Sequence, residues 1–162
     1  MAKKQQAAST PATLALSRAG ISFTVHPYAH DPRSESYGEE AARALDLDPA
    51  RVFKTLFVAV DKKLCVGIVP VSSRLDLKAV AAALGGKAAT MADPADAERA
   101  SGYVVGGISP IGQRRAHPTV LDDSATAFPT VFVSGGRRGL DVELSPADLV
   151  RITSAVIAPI RR

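Results

Sequence analysis

The sequence predicts an α+β fold: a mixed, curved β-sheet or barrel surrounded by short helices, in a single domain. Three observations carry that expectation. The chain has 162 residues, 46% hydrophobic and 22% charged, which suits one soluble domain with a real core. About seven or eight strand-like segments mix with four or five short helical ones in no regular βαβ order, against a doubly wound sheet. VFKTLFVAV (52–60) and LCVGIVPV (64–71) flank the turn Asp61-Lys62-Lys63, the pattern of an antiparallel hairpin.

The elements follow in order. Residues 1–10 are polar and read as a disordered tail, leaving 11–162 as the domain. Thr10-Pro11 is an N-cap with proline in the first helical position, and Gly20 closes that helix. ISFTVHPY (21–28) alternates as a strand. Ser36-Tyr37-Gly38-Glu39 matches a capping box opening a helix to about Leu45. Asp48-Pro49 turns into the hairpin. RLDLKAVAAALGG places Leu77, Val80, Ala81 and Leu84 at helical spacing before two glycines. KAATM is a short strand, and Asp93-Pro94 caps a helix ending near Ser101-Gly102. GYVVGGISPIGQ has two strand-like residues before its glycines. HPTVLDDS, PTVFVSGG and GLDVEL read as three strands. Ser145-Pro146 caps a last helix, and ITSAVIAPI completes the chain.

Composition narrows the function. No apolar run reaches the ~18 residues of a membrane span, and the N-terminus lacks the apolar core of a secretory signal. The single cysteine, Cys65, excludes an internal disulfide and a cysteine-based zinc site, and reads as a small buried hydrophobe. His26, His30 and His117 lack metal-ligand spacing, so neither metal nor cofactor is implied. A cytoplasmic address is the default. A net charge of +4 and a pI near 9.5 favour a polyanionic partner. Basic doublets recur at Lys3-Lys4, Lys62-Lys63, Arg114-Arg115, Arg137-Arg138 and Arg161-Arg162.

Three places could carry chemistry. Lys54 shares a strand face with Val52, Leu56, Val58 and Val60; it either reaches water at a sheet edge or sits at a pocket rim as a fixed cation. The stretch Gly106-Gly107-Ile108-Ser109-Pro110-Ile111-Gly112 could present free amides to an anion, or be a plain turn. It fits neither the phosphate-loop nor the dinucleotide motif. In GLDVEL, Asp141 and Glu143 share a face that is either a solvated acidic surface or, at Asp141, a pocket wall. Tyr28 and Tyr37 flank a loop that could fold over a cleft. No Gly-x-Ser-x-Gly elbow is present.

Together, VFKTLFVAV, LDLKAVAAALG, MADPADAERASGYVVGGISPIGQRRAHPTVLD and VFVSGGRRGLDVELSPADL resemble the YbaK-type aminoacyl-tRNA deacylases. These are relatives of the editing domain of bacterial prolyl-tRNA synthetase. The resemblance runs from about residue 12 to 158. It implies trans-editing of mischarged tRNA, with Cys-tRNA(Pro) the characteristic substrate and Cys-tRNA(Cys) a further one. Deacylation of Ala-tRNA(Pro) is the enzymatic alternative, and a non-catalytic tRNA- or synthetase-binding module the other. It implies Lys54 as the key lysine and substrate contacts at Tyr28, Tyr37, Thr55, Gly106, Gly107, Ile108, Ser109, Pro110, Ser134 and Asp141. The partners implied are mischarged tRNA and prolyl-tRNA synthetase, with no membrane and no DNA. In such enzymes the substrate's own thiol attacks the ester, so no protein nucleophile is expected. His117 and the hydroxyl of Tyr37 depart from the family pattern and would alter pocket polarity.

Overall fold

The computed structural model describes residues 9–34 and 36–162. Helix α1 (Pro11–Arg18) opens on a reciprocal cap: the Thr13 N–H donates to the Thr10 hydroxyl at 3.1 Å, and the Thr10 N–H to the Thr13 hydroxyl at 2.8 Å. The Thr10 hydroxyl also donates to the Gly135 carbonyl, docking the helix on the sheet behind it. Thr10 is therefore buried, while residues 1–8 of the expected tail lie outside the described residues.

Then come β1 (Thr24–Pro27), α2 (Tyr37–Ala44), β2 (Phe53–Val60), β3 (Lys63–Pro70), α3 (Leu77–Ala83) and β4 (Ala89–Met91). They are followed by α4 (Pro94–Ser101), β5 (Thr119–Asp122), a 3₁₀ turn (Asp123–Ala127), β6 (Val131–Arg137), β7 (Leu140–Leu144), α5 (Pro146–Thr153) and β8 (Val156–Ala158). The fold class is the expected one, a mixed α+β domain. Its strands form two sheets: β4-β2-β3-β5-β8, and an antiparallel β1-β7-β6. In the larger sheet β3–β5 and β5–β8 are parallel and the rest antiparallel. The barrel alternative is not realised among the described residues. The sheets meet through one parallel bridge, Val52 with Phe132, and the Phe132 N–H donates to the Arg51 carbonyl at 3.0 Å.

The expected hairpin forms, but with Val60 opposite Lys63: the turn is only Asp61 and Lys62, with φ of 48° and 74°, and Lys63, expected in the turn, opens β3. Such left-handed pairs match strand twist, and the Asp61 carboxylate holds the turn by accepting from the Lys87 and Ala88 amides. Strand β4 pairs with β2 only at Val58–Val60. The first half of β2 therefore has β3 along one edge and no strand from its own sheet along the other.

Two local expectations are corrected. Helix α2 forms over Tyr37–Ala44, but Ser36 makes no side-chain cap bond, its backbone sitting at φ −105°, ψ 78°. Glu39 instead lines a cavity and interacts with Lys54. The segment Tyr103–Val105 is not a strand, because Tyr103 turns inward and its phenol donates to the Ile111 carbonyl at 2.7 Å. At the other end, fully buried Asp122 accepts from the Ile160 and Arg161 amides, pinning the chain after β8.

Candidate active site

A cavity of about 380 Å³ opens beside the unpaired half of β2. One wall is Lys54, Thr55 and Leu56; facing residues come from α2 and from the glycine-rich loop, and Ser134 and Asp141 of the smaller sheet also line it. Phe53 to Phe57 line it consecutively although their side chains alternate between faces, so the cavity runs along the open edge of β2 rather than against one face.

Lys54 stands half-buried at this wall rather than in bulk solvent at a sheet edge. Burial pushes its ammonium below the usual lysine pKa; Glu39 opposes that shift and Arg74 adds to it. The Thr55 hydroxyl is buried without a hydrogen-bond partner, and so is Asp141 Oδ2. Asp141 lies opposite His26 on β1 and Ser134 on β6, in the middle strand of the smaller sheet, and is 4% exposed. Burial alone raises its carboxyl from 3.8 to about 7. A buried oxygen without a partner costs about 1–3 kcal/mol, so two of them on one cavity mark a place shaped for a ligand.

Tyr28 lines the same cavity; its phenol is pushed up to about 12 by burial, then by the Asp141 charge, against a lowering hydrogen bond from the Gly139 backbone. Tyr37 opens α2 with its ring under the Arg138 guanidinium, 5.0 Å from the carbon to the ring centroid. Gly106 adopts φ +89°, and a Cβ there would come within 2.8 Å of Arg138 Nε and 2.9 Å of the Tyr37 ring. Only glycine combines that angle with that approach. Ile108 lines the cavity beside it, and Ser134 does so with its hydroxyl accepting from the Gly136 amide at 3.2 Å.

Three expected contacts lie behind the wall instead. Gly107 is buried against the hairpin turn, where a Cβ would be 2.7 Å from the Arg137 backbone. Ser109 is fully buried; its hydroxyl accepts from the Ile111 amide at 3.2 Å and its carbonyl from the Gln113 side chain at 3.0 Å. Pro110 is buried beside it. They shape the loop that presents Gly106 and Ile108. His117 also stays off the cavity, bonded to Gln113 at 2.9 Å and edge-on to Phe57, which does line it. The sequence marks Glu39 only as a cap residue and carries no signal for Met91, Pro94 and Ala97, which line an apolar side. Among the described residues, no group of three or more His, Cys, Asp or Glu could hold a metal ion.

The profile of the family described as "Aminoacyl-tRNA editing domain" matches residues 31–152, three quarters of the chain and most of the cavity wall. The chain belongs to that family. As an editing domain it is an aminoacyl-tRNA deacylase. The "Putative Cys-tRNA(Pro)/Cys-tRNA(Cys) deacylase EbsC" of Enterococcus faecalis is 34% identical over 162 residues, 99% of this chain and 98% of that protein. A crystal structure of "a putative trans-editing enzyme for prolyl tRNA synthetase" superposes with a TM-score of 0.80 at 26% identity, covering 95% of this editing domain and 98% of that chain. The hypothetical protein APE2540 shares the fold, with a TM-score of 0.82 at 23% identity over 94% of this chain and 100% of its own.

Proposed function

We propose that this editing domain deacylates Cys-tRNA(Pro) in trans, using the substrate's own thiol as nucleophile. The observation that carries this reading is what the cavity holds: a half-buried ammonium and two unpaired polar atoms, while among the described residues none of its hydroxyls, Ser36, Thr55 or Ser134, is hydrogen-bonded to a base. No histidine lines it among the described residues, Cys65 is buried elsewhere, and the Ser134 hydroxyl is engaged with Gly136. With hydroxyls that no base activates, such a site orients and polarises rather than attacks. The names of the relatives, for Cys-tRNA(Pro)/Cys-tRNA(Cys) deacylation and for prolyl-tRNA synthetase trans-editing, support the same substrate.

In this reading the cysteinyl sulfur attacks the ester carbonyl, a sulfur–carbon bond forms and the bond to the ribose oxygen breaks. The thiol proton ends on that ribose oxygen, and the thiolactone is later opened by water. Intramolecular attack carries an effective molarity of about 10⁵ M or more when well aligned, so alignment is the main task. Lys54 stabilises the carbonyl oxygen as it gains charge, with the amide of Gly106 as a second donor. Asp141 receives the substrate α-ammonium, which restores its ionised form; Thr55 bonds the ribose or the ester. Tyr28 and Tyr37 flank the terminal base. Action on charged tRNA gives a cytoplasmic address.

The test is release of labelled amino acid from Cys-, Ser- and Ala-tRNA(Pro). Cysteine should leave fastest, and Lys54→Ala should abolish its release with the fold intact. Equal rates for cysteine and alanine would overturn thiol assistance and make the protein an Ala-tRNA(Pro) deacylase. Salt-sensitive tRNA binding without turnover would make it a binding module. The lone chain should discriminate poorly between tRNA(Pro) and tRNA(Cys), and better with prolyl-tRNA synthetase present.

A further inference from the structure

Val105 is gripped at both ends by charge. Its N–H donates to the Glu98 carboxylate at 2.8 Å, and its carbonyl accepts from Arg138 twice, from Nε at 2.9 Å and Nη2 at 2.7 Å. Glu98 comes from α4 and Arg138 from the turn between β6 and β7, so two separate elements fix one loop residue. A planar guanidinium spanning one carbonyl defines orientation as well as distance, which an ammonium cannot do.

The consequence falls on the next residue. Among the described residues the peptide bonds are all trans, and in a trans peptide the carbonyl of one residue and the N–H of the next point in opposite directions. Holding the Val105 carbonyl on Arg138 turns the Gly106 N–H away from Arg138. Val105 and Gly106 both line the cavity. The Gly107 N–H is used locally, donating to Val104 at 2.9 Å, whereas the Gly106 N–H has no partner among the described residues. Arg138 also lies over the Tyr37 ring, so the same guanidinium fixes the aromatic wall next to that amide.

We propose that Arg138 and Glu98 are positioning residues that hold the Val105 peptide so that the Gly106 N–H is presented to the ester carbonyl oxygen of the substrate. The assignment rests on the reading that this cavity cleaves an aminoacyl ester, whichever amino acid that is. Neither side chain touches the reacting atoms. Arg138 is exposed, so its replacement leaves the core intact.

Two measurements test it on the full chain. The first is steady-state deacylation of the misacylated tRNA that the wild type cleaves fastest. Arg138→Ala should lower kcat by about 10- to 100-fold with KM within about twofold, the pattern of a lost transition-state donor. Arg138→Lys should fail to restore it, millimolar guanidinium should partly rescue Arg138→Ala, and Glu98→Gln should lower kcat in the same sense. A raised KM with unchanged kcat and a shallower salt dependence would make Arg138 a phosphate contact and overturn the proposal. The second does not need activity: in ¹⁵N-labelled protein the Gly106 amide resonance should shift and broaden in Arg138→Ala, while that of remote Gly85 stays put. An unmoved Gly106 resonance overturns the proposal even if the tRNA substrate has been misassigned; a moved one with an inactive wild type faults only the functional reading.

Discussion

Replacing Asp141 with asparagine should stabilise the protein while disabling it, and the size of the gain should depend on pH. The carboxyl is 4% exposed, has one oxygen without a partner, and is raised from 3.8 to about 7 in the folded state. A raised carboxyl binds its proton more tightly when folded than when unfolded. At pH values below 3.8 both states are protonated and the group contributes nothing to the pH dependence. Between there and about 7 the unfolded chain ionises first, and the folded state loses stability as pH rises. Above that the penalty is complete: the gap from 3.8 to about 7, at about 1.36 kcal/mol per pH unit, comes to about 4 kcal/mol. Asparagine keeps the shape and removes the ionisation. The variant should therefore match the wild type near pH 4 and exceed it by up to about 4 kcal/mol at pH 8, or about 10 °C in Tm for a chain of this size. Denaturant unfolding of both proteins at pH 4.5, 6, 7 and 8 measures the difference. A difference that does not change across that range would refute the reasoning, because it would mean that Asp141 ionises freely where it stands. Loss of deacylation in the same variant would tie the destabilising charge to substrate binding.

Other residues give sharper yes-or-no outcomes. Lys54→Met should raise stability at neutral pH, since a base whose pKa is lowered on folding costs stability below that pKa, while activity disappears; thermal melts at pH 6 to 10 should converge at the alkaline end. Thr55→Val removes a buried hydroxyl with no partner, so Tm should hold or rise while kcat/KM falls about tenfold in the deacylation assay. Gly107→Ala must force the Arg137 backbone away from a 2.7 Å contact, and should cost about 1–3 kcal/mol by denaturant unfolding. Asp122→Ala strands the Ile160 and Arg161 amides, and should cost about 2–4 kcal/mol with per-molecule activity unchanged in the folded fraction.

The elements of this fold were readable where a local rule and the tertiary structure agree. Thr10, Asp93 and Ser145 cap helices as their positions suggest, and the antiparallel hairpin around Asp61 forms. The 36–39 capping box failed because the Ser36 backbone sits at φ −105°, ψ 78° and Glu39 lines a cavity built with other elements, which no short window contains. Strand-like Tyr103-Val104 failed because a buried phenol with a carbonyl partner outweighed propensity. Lys54 and Asp141 were visible as charges where a pattern of apolar residues or alternation made them expensive. Arg138 was visible as half of a basic doublet and as a letter of the SGGRRGLDVE stretch, but its role was not, because its partner is a main-chain oxygen 33 residues away, and backbone acceptors leave no mark in a sequence. Ser109 and Pro110 stand out by their letters, yet their task is to shape a loop.

Two of the ionisable groups that line the cavity belong to different sheets, Lys54 to the larger and Asp141 to the smaller. No ladder of hydrogen bonds sets the span between them. That span is governed by a small greasy joint, in which Val52 and Phe132 pack with Val71, Ala41 and Ala42. Trimming Phe132 would let cation and carboxylate drift relative to each other, so a buried side chain outside the cavity lining acts as the gauge block of the proposed catalytic centre.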